Sequence, residues 1–258
     1  MNKSNLPDLN NCSIAVIGIG YVGLPLTIAL AKKKTCLLTK KRLKRKVIGY
    51  DTNELRVKEL NNGLDRNQAF SKDNLLNIKN LKITSDKKFL KDIDIFIITV
   101  PTPLNGKKEP DLSFIQKASI TVGKSIKSDK KNYIIIYEST VYPGVTEDFC
   151  VPIIERVSGK KYNSKKYENS FYCGYSPERI NPGDNKHTVN SIIKVTSGCN
   201  KRISSLINEF YGSFIKAGTF KSSSIKVAEA AKIIENTQRD LNIALVNELS
   251  IFFKKLKI

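Results

Sequence analysis

The chain has 258 residues, enough for one large domain or for one domain and part of another. Its formal charge of +20 arises from 44 basic and 24 acidic side chains, but 36 of the basic residues are Lys and they are spread along the sequence. Dispersed Lys is typical of a solvated surface, so the composition argues against nucleic acid as a partner and is compatible with an anionic nucleotide substrate.

Cysteine usage and hydropathy predict a cytoplasmic protein. The cysteines are odd in number and contain no CxxC pair, which argues against a disulfide scaffold and against a metal site. The segment 1–12 is polar and lacks the apolar core of a signal peptide, and no apolar run reaches the roughly 18 residues that span a bilayer. We therefore expect a polar N-terminal tail, no membrane contact and reduced thiols at Cys12, Cys36, Cys150, Cys173 and Cys199.

The first structured segment, SIAVIGIGYVGLP from Ser13 to Pro25, predicts a strand, a glycine turn and a helix over Leu24 to Ala31. In this context a GxGxxG pattern binds a dinucleotide, because its pyrophosphate sits on the helix N-terminus. Gly18 permits the tight turn, Gly20 lets the backbone approach the pyrophosphate, and Gly23 lets helix and strand pack closely.

The next strand, Val47 to Tyr50, ends at Asp51. A carboxylate at this position accepts hydrogen bonds from a ribose and repels the 2′-phosphate of NADP, so the sequence predicts NAD as the cofactor. Asn53 is expected to cap a helix over Glu54 to Asn62, which places Arg56 one turn into a helix beside Asp51.

A basic segment separates the first helix from the second strand. Residues 32–46 contain nine cations and no acid. Charge runs of this kind usually mark solvated surfaces, so we predict an exposed insertion rather than a nucleic-acid arm or a membrane patch.

The rest of the chain alternates between strands and helices, which predicts an α/β fold of the Rossmann type with a doubly wound parallel sheet. Polar residues follow several strands, among them Thr102, Thr140 and the pair Glu178 and Arg179, at the sheet edge where such folds bind ligands. The expected strands are Leu81–Thr84, Ile93–Val100, Tyr133–Tyr137, Phe171–Ser176, Ile192–Thr196 and Phe214–Ala217, and the expected helices are Asp111–Lys127 and Lys201–Tyr211.

A long helix is predicted from Ser223 nearly to the end of the chain, since this segment contains no Gly or Pro. Lys232, Asn236 and Arg239 are spaced i, i+4 and i+7, so they project from one face. That face either meets solvent or lines a cleft against the Glu178 loop. The single histidine, His187, lies in a polar stretch and is expected to be a bystander.

Five motifs, in this order, resemble the UDP-glucose/GDP-mannose dehydrogenase family: GIGYVGLP, VPTP, ESTVYPG, YSPERINPGD and VAEAAKIIENTQRDLNIALVNEL. They cover almost the whole chain and are most similar to the UDP-N-acetylhexosamine 6-dehydrogenase branch. The resemblance implies site residues in three groups. The NAD contacts are Tyr21, Val22, Asp51, Arg56, Thr102 and Thr140; the nucleotide-sugar contacts are Arg179, Ile180 and Arg239. The catalytic groups are Glu178 and Thr140 for a water, and Lys232 and Asn236, which also contact the sugar, for oxyanions.

The resemblance further implies oxidation of a UDP-N-acetylhexosamine at C6 for polysaccharide synthesis, with two NAD and a cysteine thiohemiacetal. In the family that cysteine lies in a GGHCIGVDP-like loop beyond the long helix, and no such loop occurs in these 258 residues. We therefore expect a truncated chain, inactive alone, that lacks the UDP-binding domain.

Its parts would be an NAD-binding domain at residues 13–221 and a central helix at 222–258 that forms a homodimer. The alternatives are a non-catalytic NAD-binding or dimerising module and a nucleic-acid-associated protein. The hexosamine epimer stays open.

Overall fold

The computed structural model describes residues 6–126, 132–164, 169–179 and 191–258. Within them, the strands are β1 (Ser13–Ile17), β2 (Lys46–Tyr50), β3 (Leu81–Thr84), β4 (Ile95–Ile98), β5 (Tyr133–Tyr137), β6 (Lys161–Tyr162), β7 (Ser170–Tyr175), β8 (Lys194–Thr196) and β9 (Thr219–Lys221). The α-helices are α1 (Gly23–Lys32), α2 (Glu54–Asn61), α3 (Lys72–Leu76), α4 (Ser113–Ser125), α5 (Val151–Ser158), α6 (Lys201–Gly212) and α7 (Ile225–Lys255). A π-helical turn, Val145–Cys150, precedes α5.

Seven of these strands form one parallel sheet in the order β3-β2-β1-β4-β5-β7-β6. The strand order reverses between β1 and β4, and open α/β sheets bind ligands at the carboxyl ends of strands at such a switch point. The predicted Rossmann-type fold is therefore confirmed, and its switch point places the candidate site beyond β1 and β4.

The sheet is covered on both faces, as the apolar runs of its strands predict. Ile14 and Val16 of β1 lie in a core cluster with α1 and α6, whereas Ala15 and Ile17 lie in a second cluster with α4, α5 and the start of α7. This alternation follows from the two-residue period of a strand.

The predicted long helix is confirmed as α7, which has 31 residues and begins after the N-cap Ser224, whose side chain accepts a hydrogen bond from the Val227 N–H. Its first turns are anchored by the buried Ile225, Ala228 and Glu229, and all later side chains are half-buried or exposed. No helix in the described ranges has the length and hydrophobicity to cross a bilayer.

The predicted strand Phe214–Ala217 is wrong. Phe214 and Ile215 lie buried in the core just after α6, so their apolar character reflects burial rather than sheet pairing. The strand begins later, at β9, after Gly218 turns the chain with a φ of +84°. β9 pairs in parallel with β8 in a separate two-stranded sheet.

Most of the basic segment 32–46 is exposed, as predicted, but Cys36, Leu43 and Arg45 are buried, so the segment is not exposed throughout. The Arg45 guanidinium donates to Ser213 Oγ at 2.8 Å and lies 5.1 Å from the centre of the Phe210 ring. Long cations can bury their stems and pair with aromatic rings, so a basic run is not proof of full exposure. The segment is held against the C-terminal end of α6.

Candidate functional site

A cleft of about 610 Å³ opens at the carboxyl ends of β1, β2, β4 and β5. Seven of the predicted cofactor-binding residues line it: Gly18, Gly20, Tyr21, Val22, Asp51, Thr102 and Thr140. The sheet thus brings together residues that are more than a hundred positions apart in the sequence, as expected for polar residues that follow parallel strands.

The glycine turn shapes this cleft for a pyrophosphate. A Cβ on Gly20 would meet nothing within 4 Å, so this backbone faces open space. A Cβ on Gly23 would lie 1.9 Å from the Gly18 carbonyl oxygen, so Gly23 packs helix against turn rather than lining the cleft. In the described part of the chain no side chain caps the start of α1, which leaves that helix end available to an anion. The residues fit a dinucleotide.

Asp51 is fixed at the rim of the cleft by two backbone donors. Its Oδ2 accepts from the Ile19 N–H and its Oδ1 from the Asn53 N–H, each at 2.9 Å. Arg56 lies behind this turn, where Nε donates to the Ile19 carbonyl oxygen at 3.4 Å and the guanidinium also donates to Asp65 Oδ1 at 2.8 Å. Arg56 is therefore placed to support the turn, and its contact with the cofactor stays a prediction.

Two threonines join the ends of β4 and β5. The Thr102 hydroxyl donates to the Thr140 carbonyl oxygen at 2.5 Å, so the two loops close one side of the cleft together. Thr140 is followed by a segment that α7 holds: the buried Glu229 accepts from the Gly144 N–H at 2.6 Å and the Thr146 N–H at 3.0 Å. Burial raises the pKa of Glu229, although these donors oppose that effect.

A second cavity, of about 480 Å³, lies between α7 and the loop that follows β7. Lys232 and Arg179 both line it. Lys232 is half-buried, and burial lowers its pKa, although the carboxylates of Glu235 and Glu178 oppose the shift. Asn236 is exposed, one turn further along α7. The structure thus places the start of the predicted polar face of α7 at a cleft.

The two arginines predicted to contact substrate share one carboxylate that the sequence analysis missed. Glu235 accepts from Arg179 Nε at 2.9 Å and from the Arg239 guanidinium at 2.8 Å. Its position three residues after Lys232 and four before Arg239 was the available signal, because residues at that spacing share a helix face. Glu235 therefore holds the Arg179 and Arg239 guanidinium groups at the same region of α7.

A buried charged cluster, Glu138–Lys194–Glu178 with Tyr211, was also missed. Lys194 Nζ lies 2.8 Å from Glu138 Oε2 and 2.9 Å from Glu178 Oε2, and the Tyr211 hydroxyl donates to the other oxygen of Glu138. The available signal was a single lysine in the otherwise apolar stretch Ile192–Val195. The cluster connects the inner wall of the cofactor cleft, to which Glu138 contributes, with the Glu178 loop.

Ile180 and His187 lie outside the described residues, so their predicted roles are not placed. Burial raises the pKa of Cys12, Cys150 and Cys199 to about 12, so these three remain protonated thiols at neutral pH. Among the described residues no group of three or more His, Cys, Asp or Glu side chains could hold a metal ion.

The parallel sheet, glycine turn and acidic residue after β2 define an NAD-binding protein of the dehydrogenase class. Residues 12–215 match the model of the UDP-glucose/GDP-mannose dehydrogenase family, NAD binding domain, and the chain therefore belongs to this family.

The chain is 50% identical over 250 residues to UDP-N-acetyl-D-glucosamine 6-dehydrogenase of Salmonella typhi, and the matched region covers 97% of this chain and 54% of that protein. It is 49% identical over 248 residues to Protein CapL of Staphylococcus aureus, covering 96% of this chain and 54% of CapL. The solved UDP-D-ManNAc dehydrogenase of Pyrococcus horikoshii superposes with a TM-score of 0.81 at 31% identity, over 95% of this chain and 55% of that one. The chain spans about half the length of these relatives.

Asp51 leads to a prediction about cofactor choice. We expect the chain to bind NAD more tightly than NADP, because a 2′-phosphate would lie against the Asp51 carboxylate. Asp51→Asn keeps the size of the side chain and one acceptor but removes the charge. It should therefore reduce the ratio of the Kd for NADP to the Kd for NAD by about tenfold, roughly 1.4 kcal/mol. Calorimetric titration with both cofactors measures this, and Asp73→Asn on the exposed surface of α3 is the control. Tighter binding of NADP by the unaltered chain would contradict the role of Asp51.

Proposed function

We propose that the chain is the NAD-binding part of a dehydrogenase that oxidises C6 of a UDP-N-acetylhexosamine to a carboxylate. The observation that carries this proposal is the position of Lys232 and Arg179 around one cavity, beside the Glu178 loop that reaches back to the cofactor cleft. The named activities of the relatives support the substrate class. In this proposal residues 13–221 form the NAD-binding unit and residues 222–258 the helix that completes the sugar side.

The chemistry divides between the cofactor and the side chains. Bound NAD supplies a hydride acceptor in each of two oxidations, from alcohol to aldehyde and from aldehyde to acid. In the first oxidation the C6 hydroxyl proton passes to solvent water, and Lys232 and Asn236 donate to the C6 oxygen as negative charge develops there, which is where fixed donors lower a barrier most. Thr140 and Glu178 orient the water that supplies the second carboxylate oxygen, and Glu178 accepts its proton.

Substrate binding falls to a separate set of groups. Arg179 lines the cavity, and Arg239 pairs with Glu235, which lines it too. Glu235 fixes the orientation of both cations, so they suit the anionic diphosphate of a nucleotide sugar. Ile180 is proposed to contact the same ligand. Holding the remote nucleotide orients C6 against the cofactor, so these contacts serve the rate as well as the affinity.

The test is reconstitution. The purified chain is mixed with NAD, a UDP-N-acetylhexosamine and a polypeptide that supplies the family's cysteine loop and C-terminal domain, and uronic acid and NADH are measured. Formation of uronic acid with two NADH per sugar supports the proposal. If a folded, NAD-binding chain gives no product with the gluco, galacto or manno sugar, the proposal is wrong, and NAD binding without turnover would favour a non-catalytic module.

The exposed apolar face of α7 supports a second proposal, that two copies of the chain associate through this helix. Leu241, Leu245 and Phe252 are each more than half exposed, and contiguous apolar surface of this kind usually marks an interface. We expect a dimer or larger species in light scattering at micromolar concentration, and a monomer after Leu241→Arg with Leu245→Arg. Leu104→Arg, at a similarly exposed leucine outside α7, should leave the association unchanged. A monomeric unaltered chain would contradict the proposal.

A further inference from the structure

Lys194 is a buried cation with two carboxylate partners. It lies on β8, is 4% exposed, and donates to Glu138 Oε2 and Glu178 Oε2 at 2.8 and 2.9 Å. Glu138 follows β5 and Glu178 follows β7, so one ammonium joins the ends of two neighbouring strands of the main sheet. An ionised lysine is stable at such depth only when its donors are paired with charge.

The two carboxylates are not equivalent. The Glu138 side chain is 0% exposed, with one oxygen held by Lys194 and the other by the Tyr211 hydroxyl, so Glu138 acts as a fixed anchor. Glu178 accepts from Lys194 on Oε2 and from the backbone N–H of Arg179 on Oε1, and its side chain is 10% exposed, at the edge of the cluster. Glu178 is therefore the less buried of the two carboxylates, and its neighbours Pro177 and Arg179 line the second cavity.

Charged and titratable groups of the described residues face Glu178 from several elements. Lys194 of β8 and Lys232 of α7 attract its carboxylate and Glu138 repels it. The Glu178 carboxylate also contributes to the raised pKa of Tyr211 on α6. Burial alone would lower the pKa of Lys194, but the two carboxylates outweigh that effect and raise it. Burial raises the pKa of Glu138, although Lys194 opposes the shift. Lys194 is thus the group that lets two buried carboxylates stay side by side.

We infer that Lys194 is a positioning residue for Glu178. Lys194 holds the Glu178 carboxylate in place and ionised between the cofactor cleft and the second cavity. Without the ammonium, two carboxylates would face one another in a buried site, and one of them would take up a proton. The significance of Glu178 for catalysis rests on the proposed function, but its ionisation can be measured without any turnover.

The experiment is a carboxyl-carbon NMR titration of the whole chain labelled with ¹³C-glutamate, with the Glu178 signal assigned by its loss in Glu178→Gln. Lys194→Met is expected to move the titration midpoint of Glu178 or Glu138 upward by at least one pH unit. Lys194→Arg should restore it, because a guanidinium keeps the charge. Lys226→Met removes an exposed lysine that pairs with Asp148, and should leave both midpoints unchanged.

The pH dependence of unfolding separates this role from simple packing. If Lys194→Met raises a folded-state carboxyl pKa above its unfolded value, the variant loses stability as pH rises through that window, so its melting temperature should fall further at pH 8 than at pH 5. A packing defect would lower both equally. Equal loss at the two pH values, or unchanged midpoints in a folded Lys194→Met chain, would overturn the inference.

If Lys194→Met does not fold, Glu138→Gln tests the same inference, because glutamine has nearly the same size as glutamate. It removes the repelling carboxylate, so the Glu178 midpoint should move downward, and an unchanged midpoint would overturn the inference. These outcomes are independent of the proposed function, because a chain that never forms uronic acid still titrates Glu178.

Discussion

Lys232→Met is expected to lower the rate of uronic acid formation in the reconstituted enzyme by about 10²- to 10³-fold, the usual loss when one preorganised donor to a developing oxyanion is removed. Methionine keeps much of the length of the side chain in its half-buried position on α7, so the fold and NAD affinity should be unchanged. Because the ammonium matters more in the transition state than in the ground state, kcat should fall more than KM changes. Lys254→Met, on the exposed last turn of the same helix, is the matched control.

The same reaction should depend on pH through Lys232. Burial lowers the pKa of this amine, and only its protonated form can stabilise an oxyanion, so activity should fall as pH rises through the lowered pKa, below the range of an ordinary lysine. A rate that stays constant up to the ordinary lysine pKa, or a Lys232→Met enzyme as active as the Lys254→Met control, would show that Lys232 is not the donor.

Leaving out the polypeptide that supplies the cysteine loop and C-terminal domain should also stop the formation of uronic acid. The five cysteines of this chain lie outside any motif like the family's loop, and Cys12, Cys150 and Cys199 have pKa values raised to about 12, so no thiolate is supplied by these three. We expect at most trace NADH and no detectable uronic acid from the 258 residues alone. Steady production of two NADH per sugar would identify one of their cysteines as a nucleophile.

The local patterns predicted from sequence are those that a few neighbouring residues determine. The Asn53 cap of α2 depends on a contact over three positions, from the Arg56 N–H to the Asn53 side chain, and it forms. The sheet also followed, because continuous apolar runs indicate strands buried on both faces.

The contacts that the sequence analysis missed join residues that lie far apart in the chain. Lys194 meets Glu138 across 56 positions, and Arg45 meets Ser213 across 168, so no spacing rule connects them. The apolar pair Phe214 and Ile215 suggested a strand, yet a short apolar run is equally typical of a buried turn, and tertiary packing decides between the two. Glu235 was within reach of pattern analysis, since it shares a helix face with Arg239.

The two glycines of the turn should fail in different ways when changed to alanine. In Gly23→Ala the new methyl would lie 1.9 Å from the Gly18 carbonyl oxygen and 2.5 Å from Thr99 Oγ1, which itself donates to that carbonyl at 2.6 Å. Backbone must shift to relieve this overlap, so we expect a loss of about 3 kcal/mol in the free energy of unfolding. That corresponds to a melting temperature lower by roughly 6 to 12 °C for a chain of this size.

Gly20→Ala should leave the melting temperature unchanged and weaken NAD binding. Its Cβ meets nothing within 4 Å, so the fold has room for it, but that space is where the pyrophosphate approaches the backbone at the start of α1. We expect at least a tenfold rise in the calorimetric Kd, about 1.4 kcal/mol. Gly106→Ala, at another open glycine outside the cleft, should change neither quantity. If Gly20→Ala binds NAD as tightly as Gly106→Ala, the pyrophosphate does not lie on this turn, and a Gly23→Ala chain with unaltered melting would show that the close approach of helix and turn is not required.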